Sequence, residues 1–296
     1  MKTTYLFPAW TKYLGAILAV PGLILGYLVV YQNYSIPGLE VRMRSTSTLF
    51  LSAREDFTNE VALTLVVVGL LLVAFSRTKK EDELTAKIRL NSLYWAILVN
   101  YILYACLALL AFAASLLKSP SFSKLIDGLT NNLEYTVYNF FVPLVIFIGR
   151  FYFLLYRNKN EFDIKPVHYL PYKPYRVLGK WVSIVIMVVV AANEAFNWSN
   201  ALSCLFWLLP LSLLLWIFST EKTEDEYINA TRLDAMQVAV YVNYAVLLLS
   251  NWTVYGLGFI YIQLVNLVTI PLIFILWFNY KVYRISSQTE VKSIQS

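Results

Sequence analysis

The chain has 296 residues, of which 59% are apolar and 14% are charged, with a net charge of +6 and a mean hydropathy of +0.60. Ordinary soluble domains are about 45–50% apolar and about 25% charged, so this composition excludes a soluble domain and indicates a polytopic helical membrane protein. One His and two Cys, both Cys inside apolar runs, exclude a disulfide framework and a His-rich metal or haem site. We therefore expect no cofactor and no metal.

Eight apolar segments follow one another along the chain, and each is near the ~20 residues needed to cross a hydrocarbon core. They cover residues 12–33, 57–76, 92–117, 133–157, 178–198, 201–219, 235–255 and 258–283. The predicted fold is all-α, with about eight transmembrane helices. The fifth and sixth segments are the least well separated, because only the four residues 197–200 connect them.

Lys and Arg side chains are distributed unequally between the two sets of loops. If the N-terminus lies in the cytoplasm, the cytoplasmic segments hold 18 of the 24 basic residues and the opposite loops hold five. The positive-inside rule then predicts that both termini are cytoplasmic. The positive charge therefore indicates membrane orientation and does not indicate a nucleic-acid partner.

A block of 26 residues occurs twice, at 76–101 and at 219–244, aligned without a gap at an offset of 143. Eleven positions are identical, including a Glu-Asp-Glu triplet, an Arg-Leu pair and an Asn-Tyr pair. Asn139 and Asn266, in the fourth and eighth segments, match at an offset of 127. These matches predict a tandem repeat of two four-helix units, and an even number of helices per unit makes the two units parallel about an axis along the membrane normal.

The predicted boundaries follow from this repeat. The first unit is 1–157, a Pro- and Lys-rich cytoplasmic linker is 158–180, the second unit is 181–284, and a cytoplasmic tail is 285–296. The sequence of the linker is rich in the residues that interrupt helices.

The two units differ on the external side. The first has long external loops at 34–56 and 118–134, whereas the second has only a short connection at 197–200 and a tight turn at 255–258. Residues 39–44 alternate between apolar and charged side chains, which is typical of a short strand or of a segment lying at the interface.

The identical positions of the repeated block share one face if a single helix runs through the acidic triplet. Asp82, Arg89 and Asn100 then lie within about 20° of each other, with Asn100 about 16 Å beyond Arg89. The second copy of this stripe consists of Asp225, Arg232 and Asn243. An amide at that depth needs a partner, so this face should point into protein or into a wet cavity. The six residues are candidate binding residues.

A structural interpretation of the same residues competes with the binding one. Acids in the first turn of a helix complement its dipole, Arg at a cytoplasmic boundary is a common anchor, and Asn in a membrane helix often joins helices. The alternative to a binding site is therefore structural pairing between the two halves.

Two further charged residues lie in apolar segments. Arg150 is about seven residues, or ~10 Å, from the cytoplasmic end of the fourth segment, where it either serves a function or extends to the interface. Glu194 lies near the outer end of the fifth segment. Both are candidate binding residues, although their different depths argue against a direct ion pair.

No catalytic motif such as G-x-S-x-G or H-E-x-x-H occurs, so we expect a non-enzymatic protein. An acidic triplet followed by Arg at a cytoplasmic helix start resembles a loop of small bacterial membrane proteins. That resemblance covers one loop and implies no activity. The expected location is the cell membrane, in particular the inner membrane of a bacterium.

Two functional hypotheses remain open. The first is a membrane sensor or scaffold that binds a protein partner through its external loops or its duplicated cytoplasmic turns. The alternative is a transporter or exporter with a path between the two four-helix halves. The expected partners are the lipid bilayer, a protein at either set of loops and an unidentified small-molecule ligand.

Overall fold

The computed structural model describes residues 5–43, 45, 54–79, 81–117, 124, 140–157, 167–196, 198, 202, 204–222, 224–255 and 258–294. Within these residues the chain forms eight α-helices and one β-hairpin. The helices are α1 (Thr11–Gln32), α2 (Thr58–Ala74), α3 (Glu83–Leu117), α4 (Val142–Arg157), α5 (Val177–Phe196), α6 (Leu209–Ile217), α7 (Glu226–Thr253) and α8 (Gly258–Ile294). The hairpin strands are β1 (Glu40–Arg42) and β2 (Arg54–Asp56).

Five helical stretches are long and apolar enough to cross a membrane: Thr11–Gln32, Glu83–Leu110, Tyr172–Phe196, Glu226–Thr253 and Tyr261–Arg284. They identify the chain as a helical membrane protein. The expectation of eight segments of similar length is met only in part, because α2 has 17 residues and α6 has nine. A 3₁₀ helix, Cys204–Leu208, precedes α6 and lengthens it.

Helices that are adjacent in the chain pack as pairs. α1 packs along α2, α3 along α4, α5 along α6, and α7 along α8. Two of these pairs rely on glycine, because a Cβ on Gly15 would lie 2.5 Å from the carbonyl oxygen of Gly69, and one on Gly179 would lie 2.6 Å from the nitrogen of Trp216. Small residues allow this close approach of backbones in membrane helices.

The pairs assemble through matching contacts. Within the first four helices α2 contacts α4, and within the last four α6 contacts α8. Between the two sets, α2 contacts α7, α6 contacts α3, and α3 contacts α7. The core of the bundle therefore lies around α3 and α7, whereas the outer helix α1 has exposed apolar side chains such as Ile17 and Tyr13.

Two short extended segments precede α1 and α5, and we call them the lead segments (residues 5–8 and 167–171). The backbone of Phe7 bonds to Phe75 and Arg77 at 2.9 Å on each side, and forms a parallel bridge with Ser76. Leu170 bridges Ser219 in the same way, and its hydrogen bonds to Phe218 and Thr220 are 2.7 and 2.8 Å. Each lead segment is thus fixed to the end of the second helix of its own half.

Each lead segment also accepts a hydrogen bond from a tyrosine side chain of the opposite half. The hydroxyl of Tyr94 in α3 donates to the carbonyl oxygen of His168 at 2.9 Å, and the hydroxyl of Tyr241 in α7 donates to that of Tyr5 at 2.7 Å. The Tyr94 ring also lies 4.6 Å from that of Phe218 between centroids. These crossed bonds place both lead segments at one end of the bundle, which we call the arginine end because it also carries Arg89 and Arg232.

The other end carries the β-hairpin, and we call it the hairpin end. Glu40 pairs with Asp56 in the strand register, and Thr58 at the start of α2 donates its hydroxyl to Asp56 at 2.6 Å. The alternation at 39–44 thus corresponds to a strand, Glu40–Arg42. The external loop expected at 118–134 lies, apart from residue 124, outside the described residues, as do 46–53 of the first external loop and 158–166 of the linker.

Candidate functional site

Arg89 is a completely buried arginine that joins three elements of the first half. Its guanidinium donates to the carbonyl oxygens of Ala74 and Ser76 at 3.2 and 2.8 Å, at the end of α2, and to Oε1 of Glu81 at 2.7 Å. Its side chain is 0% exposed. A planar guanidinium can supply several donors in one fixed geometry, which suits a cluster of converging oxygens.

Arg232 makes the same set of bonds in the second half. Its guanidinium donates to the carbonyl oxygens of Ile217 and Ser219 at 3.1 and 3.0 Å, and to Oε1 of Glu224 at 2.7 Å. Its side chain is also 0% exposed. Each acceptor lies as far from Arg232 in the chain as the corresponding acceptor lies from Arg89.

Aromatic rings cover both guanidinium groups. The guanidinium carbon of Arg89 is 4.4 Å from the ring centroid of Phe151, and that of Arg232 is 5.2 Å from Phe278 and 4.3 Å from Tyr169. Such stacking stabilises a buried cation. Burial raises the pKa of the Tyr169 hydroxyl, because apolar surroundings disfavour the phenolate.

The acids of the two triplets have roles different from those predicted. Helix α3 begins at the third acid, Glu83, and α7 begins at Glu226, so a single helix does not run through either triplet. Asp82 accepts the backbone N–H of Thr85 at 2.8 Å, and Asp225 accepts that of Ile228 at 2.7 Å. Asp82 and Asp225 are therefore N-caps, and they do not belong to a stripe with the arginines.

The arginine partners are Glu81 and Glu224, which the sequence analysis did not single out. The preceding backbone also uses these carboxylates, since the N–H of Thr78 donates to Glu81 at 2.7 Å and that of Glu221 donates to Glu224 at 2.8 Å. Both arginine clusters lie within one half each. Between the halves, the two acidic turns do interact, because Glu83 and Lys87 of the first half lie close to Glu226 of the second.

Deeper in the bundle, the repeated asparagines are completely buried. Asn100 and Asn243 are both 0% exposed, and each lies about 16 Å along its helix from the arginine. Neither amide atom of Asn243 has a hydrogen-bond partner within the part of the chain that is described. The two asparagines therefore do not bond to each other.

Two neighbours of Asn243 on α7 share this property. Both amide atoms of Gln237 and the hydroxyl of Tyr244 are buried without a hydrogen-bond partner among the described residues, and both side chains are 0% exposed. Gln237 and Tyr244 are seven residues apart, so they project from nearly the same face of α7. In contrast, Tyr101 on α3 donates its hydroxyl to the carbonyl oxygen of Leu267 on α8.

We call Gln237, Asn243 and Tyr244 the polar centre. A buried polar group without a hydrogen bond costs on the order of 1–3 kcal/mol, so three of them on one membrane helix call for a compensating partner. The buried polar side chains that are described here are neutral apart from Arg89 and Arg232. A partner would therefore meet amides and hydroxyls, which both donate and accept hydrogen bonds.

Arg150 and Glu194 lie on different helices, α4 and α5. The guanidinium of Arg150 donates to Oδ1 of Asn91 on α3 at 2.9 and 3.1 Å and lies 5.0 Å from the ring centroid of Trp95. Glu194 is exposed near the end of α5. Arg150 is thus held by a neutral amide, which explains how a cation is accommodated partway along α4.

Within the described residues, no group of three or more His, Cys, Asp or Glu side chains is arranged to hold a metal ion. Comparison of the chain with family models, curated proteins and solved structures gave no match. The site must therefore be interpreted from its own geometry.

Proposed function

We propose that this membrane protein is a non-enzymatic transporter of small, neutral, polar solutes, with its path between two four-helix halves. The observation that carries the proposal is Asn243, a completely buried amide whose two polar atoms have no hydrogen-bond partner among the described residues. A solute or water bound there would supply the missing bonds. The neutral character of the surrounding polar groups favours an uncharged solute over an ion.

The arrangement of the halves supports the same proposal. The reciprocal contacts of α2 with α7 and of α6 with α3 agree with a tandem repeat of two parallel units, a common plan of transporters. We also propose, from the distribution of Lys and Arg, that the arginine end and both termini are cytoplasmic, and that the membrane is a bacterial inner membrane.

Labelling of an introduced cysteine tests whether water reaches the polar centre. In a background with Cys106 and Cys204 changed to Ser, we would introduce Asn243→Cys and treat proteoliposomes with a small water-soluble methanethiosulfonate. We expect labelling at position 243 and none at Leu249→Cys, because Leu249 is 69% exposed on the outside of the same membrane-spanning helix. Absence of labelling from both sides of the membrane would contradict the proposal.

A flux measurement tests the transport step itself. Proteoliposomes would be challenged with urea, glycerol and erythritol, and their swelling would be followed by light scattering. We expect the protein to accelerate the swelling for at least one of these probes, and Asn100→Leu with Asn243→Leu to abolish that acceleration. Unaltered flux in the double variant would place the path elsewhere.

A second candidate function is a membrane sensor or scaffold with an external input. It is favoured by the β-hairpin, which lies next to a contact between the halves. Phe57 stacks on Trp252 of α7 with ring centroids 5.8 Å apart. The indole nitrogen of Trp252 also donates to Oγ1 of Thr64 at 2.9 Å. A partner bound to the hairpin would act on α7 through these residues. The acids of the cytoplasmic turns contribute less to this proposal, because Glu81, Asp82, Glu224 and Asp225 are bonded within the chain.

The two functions are separable by experiment. Replacement of the hairpin residues 40–56 with a short Gly-Ser linker should abolish the interactions of a sensor with its external partner, as measured by crosslinking in cells. The same variant should retain solute flux if the chain is a transporter. If the variant lost solute flux but kept its crosslinks, the hairpin would be needed for transport and not for partner binding. That result would contradict both assignments of the hairpin.

A further inference from the structure

A groove at the arginine end of the second half is lined by charged and aromatic side chains that the proposed transport function does not use. It has a volume of about 580 Å³ and lies where the start of α5, the end of α6 and the turn before α7 meet. Its ionisable side chains are Arg176, Lys180, Lys222 and Glu221, an excess of two positive charges. Arg176 and Glu221 form an ion pair, so the two lysines hold the excess.

Aromatic rings stand beside both lysines. The ammonium nitrogen of Lys180 is 6.0 Å from the ring centroid of Trp216, and that of Lys222 is 6.0 Å from that of Tyr172. Both lysines are exposed. The arrangement holds two cations at the rim of a concave site lined by aromatic residues, a composition that suits an anionic group with an apolar extension.

The surface next to the groove shows which anion fits. Along α5 the side chains of Leu178, Trp181, Val185 and Val188 are 52–61% exposed, on one of the helices long enough to span the membrane. A molecule whose phosphate lies between Lys180 and Lys222 could place its hydrocarbon chains along this apolar face. A free anion has no hydrocarbon chains, so it would not cover this apolar face.

We propose that this groove binds the headgroup of an anionic phospholipid, with the phosphate between Lys180 and Lys222 and the acyl chains along α5. Basic pockets between membrane helices near the cytoplasmic surface are suited to such headgroups. The first half lacks the groove's chemistry. Lys79 stands 143 residues before Lys222, but Thr78 and Val73 replace Glu221 and Trp216 at that offset.

Native mass spectrometry of the full chain tests this site. The protein would be purified in a mild detergent with equal amounts of phosphatidylglycerol and phosphatidylcholine of the same acyl chains. We expect preferential retention of phosphatidylglycerol, reduced about tenfold in Lys180→Gln with Lys222→Gln, which matches a loss of ~1.4 kcal/mol. Lys79→Gln is the matched control, since it removes an equivalent charge from the first half, and it should retain the lipid as the native chain does.

Two further arms make the outcome decisive. Lys180→Arg with Lys222→Arg keeps both charges and should restore retention, which separates binding from a folding defect. An excess of inorganic phosphate should not displace the lipid. Equal retention in the Gln variant, or displacement by inorganic phosphate, would overturn the proposal.

Discussion

The hydroxyl of Tyr94 donates to the carbonyl oxygen of His168 at 2.9 Å, so a helix of the first half holds the segment that leads into the second. Tyr241 does the same for the segment that leads into the first half. Tyr94→Phe with Tyr241→Phe removes only the two hydroxyls. Because each hydrogen bond contributes about 1 kcal/mol, we expect a loss of about 2 kcal/mol and a lower midpoint of thermal unfolding in detergent. Tyr283→Phe, 75% exposed, is the control and should change nothing.

The buried arginines should not tolerate lysine. In Arg89→Lys one ammonium cannot reach Ala74, Ser76 and Glu81 from a single position, so at least one buried acceptor loses its donor. Leaving a buried acceptor without its donor costs about 1–3 kcal/mol, so we expect less folded protein by fluorescence-detected size-exclusion chromatography. The exposed Arg77→Lys should behave as the native chain. A fully folded Arg89→Lys variant would show that the cluster is not required for folding.

We expect the aspartates to stabilise their helices as N-cap hydrogen-bond acceptors, and not through their negative charge. Asp225→Asn keeps an oxygen that accepts the N–H of Ile228, whereas Asp225→Ala removes it. We expect the Ala variant to lose about 1 kcal/mol in thermal unfolding and the Asn variant to lose a few tenths. If Asn were as harmful as Ala, the negative charge itself would have the larger role, as a binding site would require.

The polar centre should reduce stability in return for function. Asn243→Leu replaces a buried amide, which has no hydrogen-bond partner in the described part of the chain, by an apolar side chain of similar size. We expect thermal unfolding to shift upward, by about 1–2 kcal/mol, while solute flux is lost. Leu247→Met, a change one turn further along α7, controls for repacking and should preserve flux. Reduced stability in Asn243→Leu would mean that the amide has a partner in the native protein.

The close glycine contact between α1 and α2 predicts a pair of opposite results. A Cβ on Gly69 would lie 2.5 Å from the nitrogen of Ala19, whereas one on Gly26 would meet nothing within 4 Å. Gly69→Ala should separate the helices and lower the unfolding temperature by several degrees. Gly26→Ala should raise it slightly, because alanine favours the helix. Equal stability of the two variants would contradict the packing described here.

The sequence predicts the membrane class and the positions of the repeated arginines, because composition and identity at one offset carry that information. It did not reveal the partner of Arg89, since the prediction assumed a helix through Asp82, whereas the helix begins at Glu83. That one change of boundary turns Asp82 into a cap and leaves Glu81 as the ion-pair partner.

Other contacts were out of reach because they join distant parts of the chain. Arg150 bonds to Asn91, 59 residues earlier, and nothing in either local sequence indicates the other. The crossed tyrosines were hidden by the alignment, since Gln237 and not Tyr241 is the counterpart of Tyr94 at the offset of 143. Tyr94 and Tyr241 make equivalent bonds from positions one helical turn apart in the alignment, so an alignment without gaps does not pair them.

The crossed tyrosine bonds also set an order for the maturation of the chain at the ribosome. The bond from Tyr94 can form once residue 168 has been synthesised, but the segment at Tyr5 must wait until residue 241 emerges. Phe7 can bond to Phe75 and Arg77 early, but the bond from Tyr241 to Tyr5 is among the last to form. A nascent chain halted between these two points would have its second lead segment bonded to Tyr94 of α3, while its first would still lack the bond from α7.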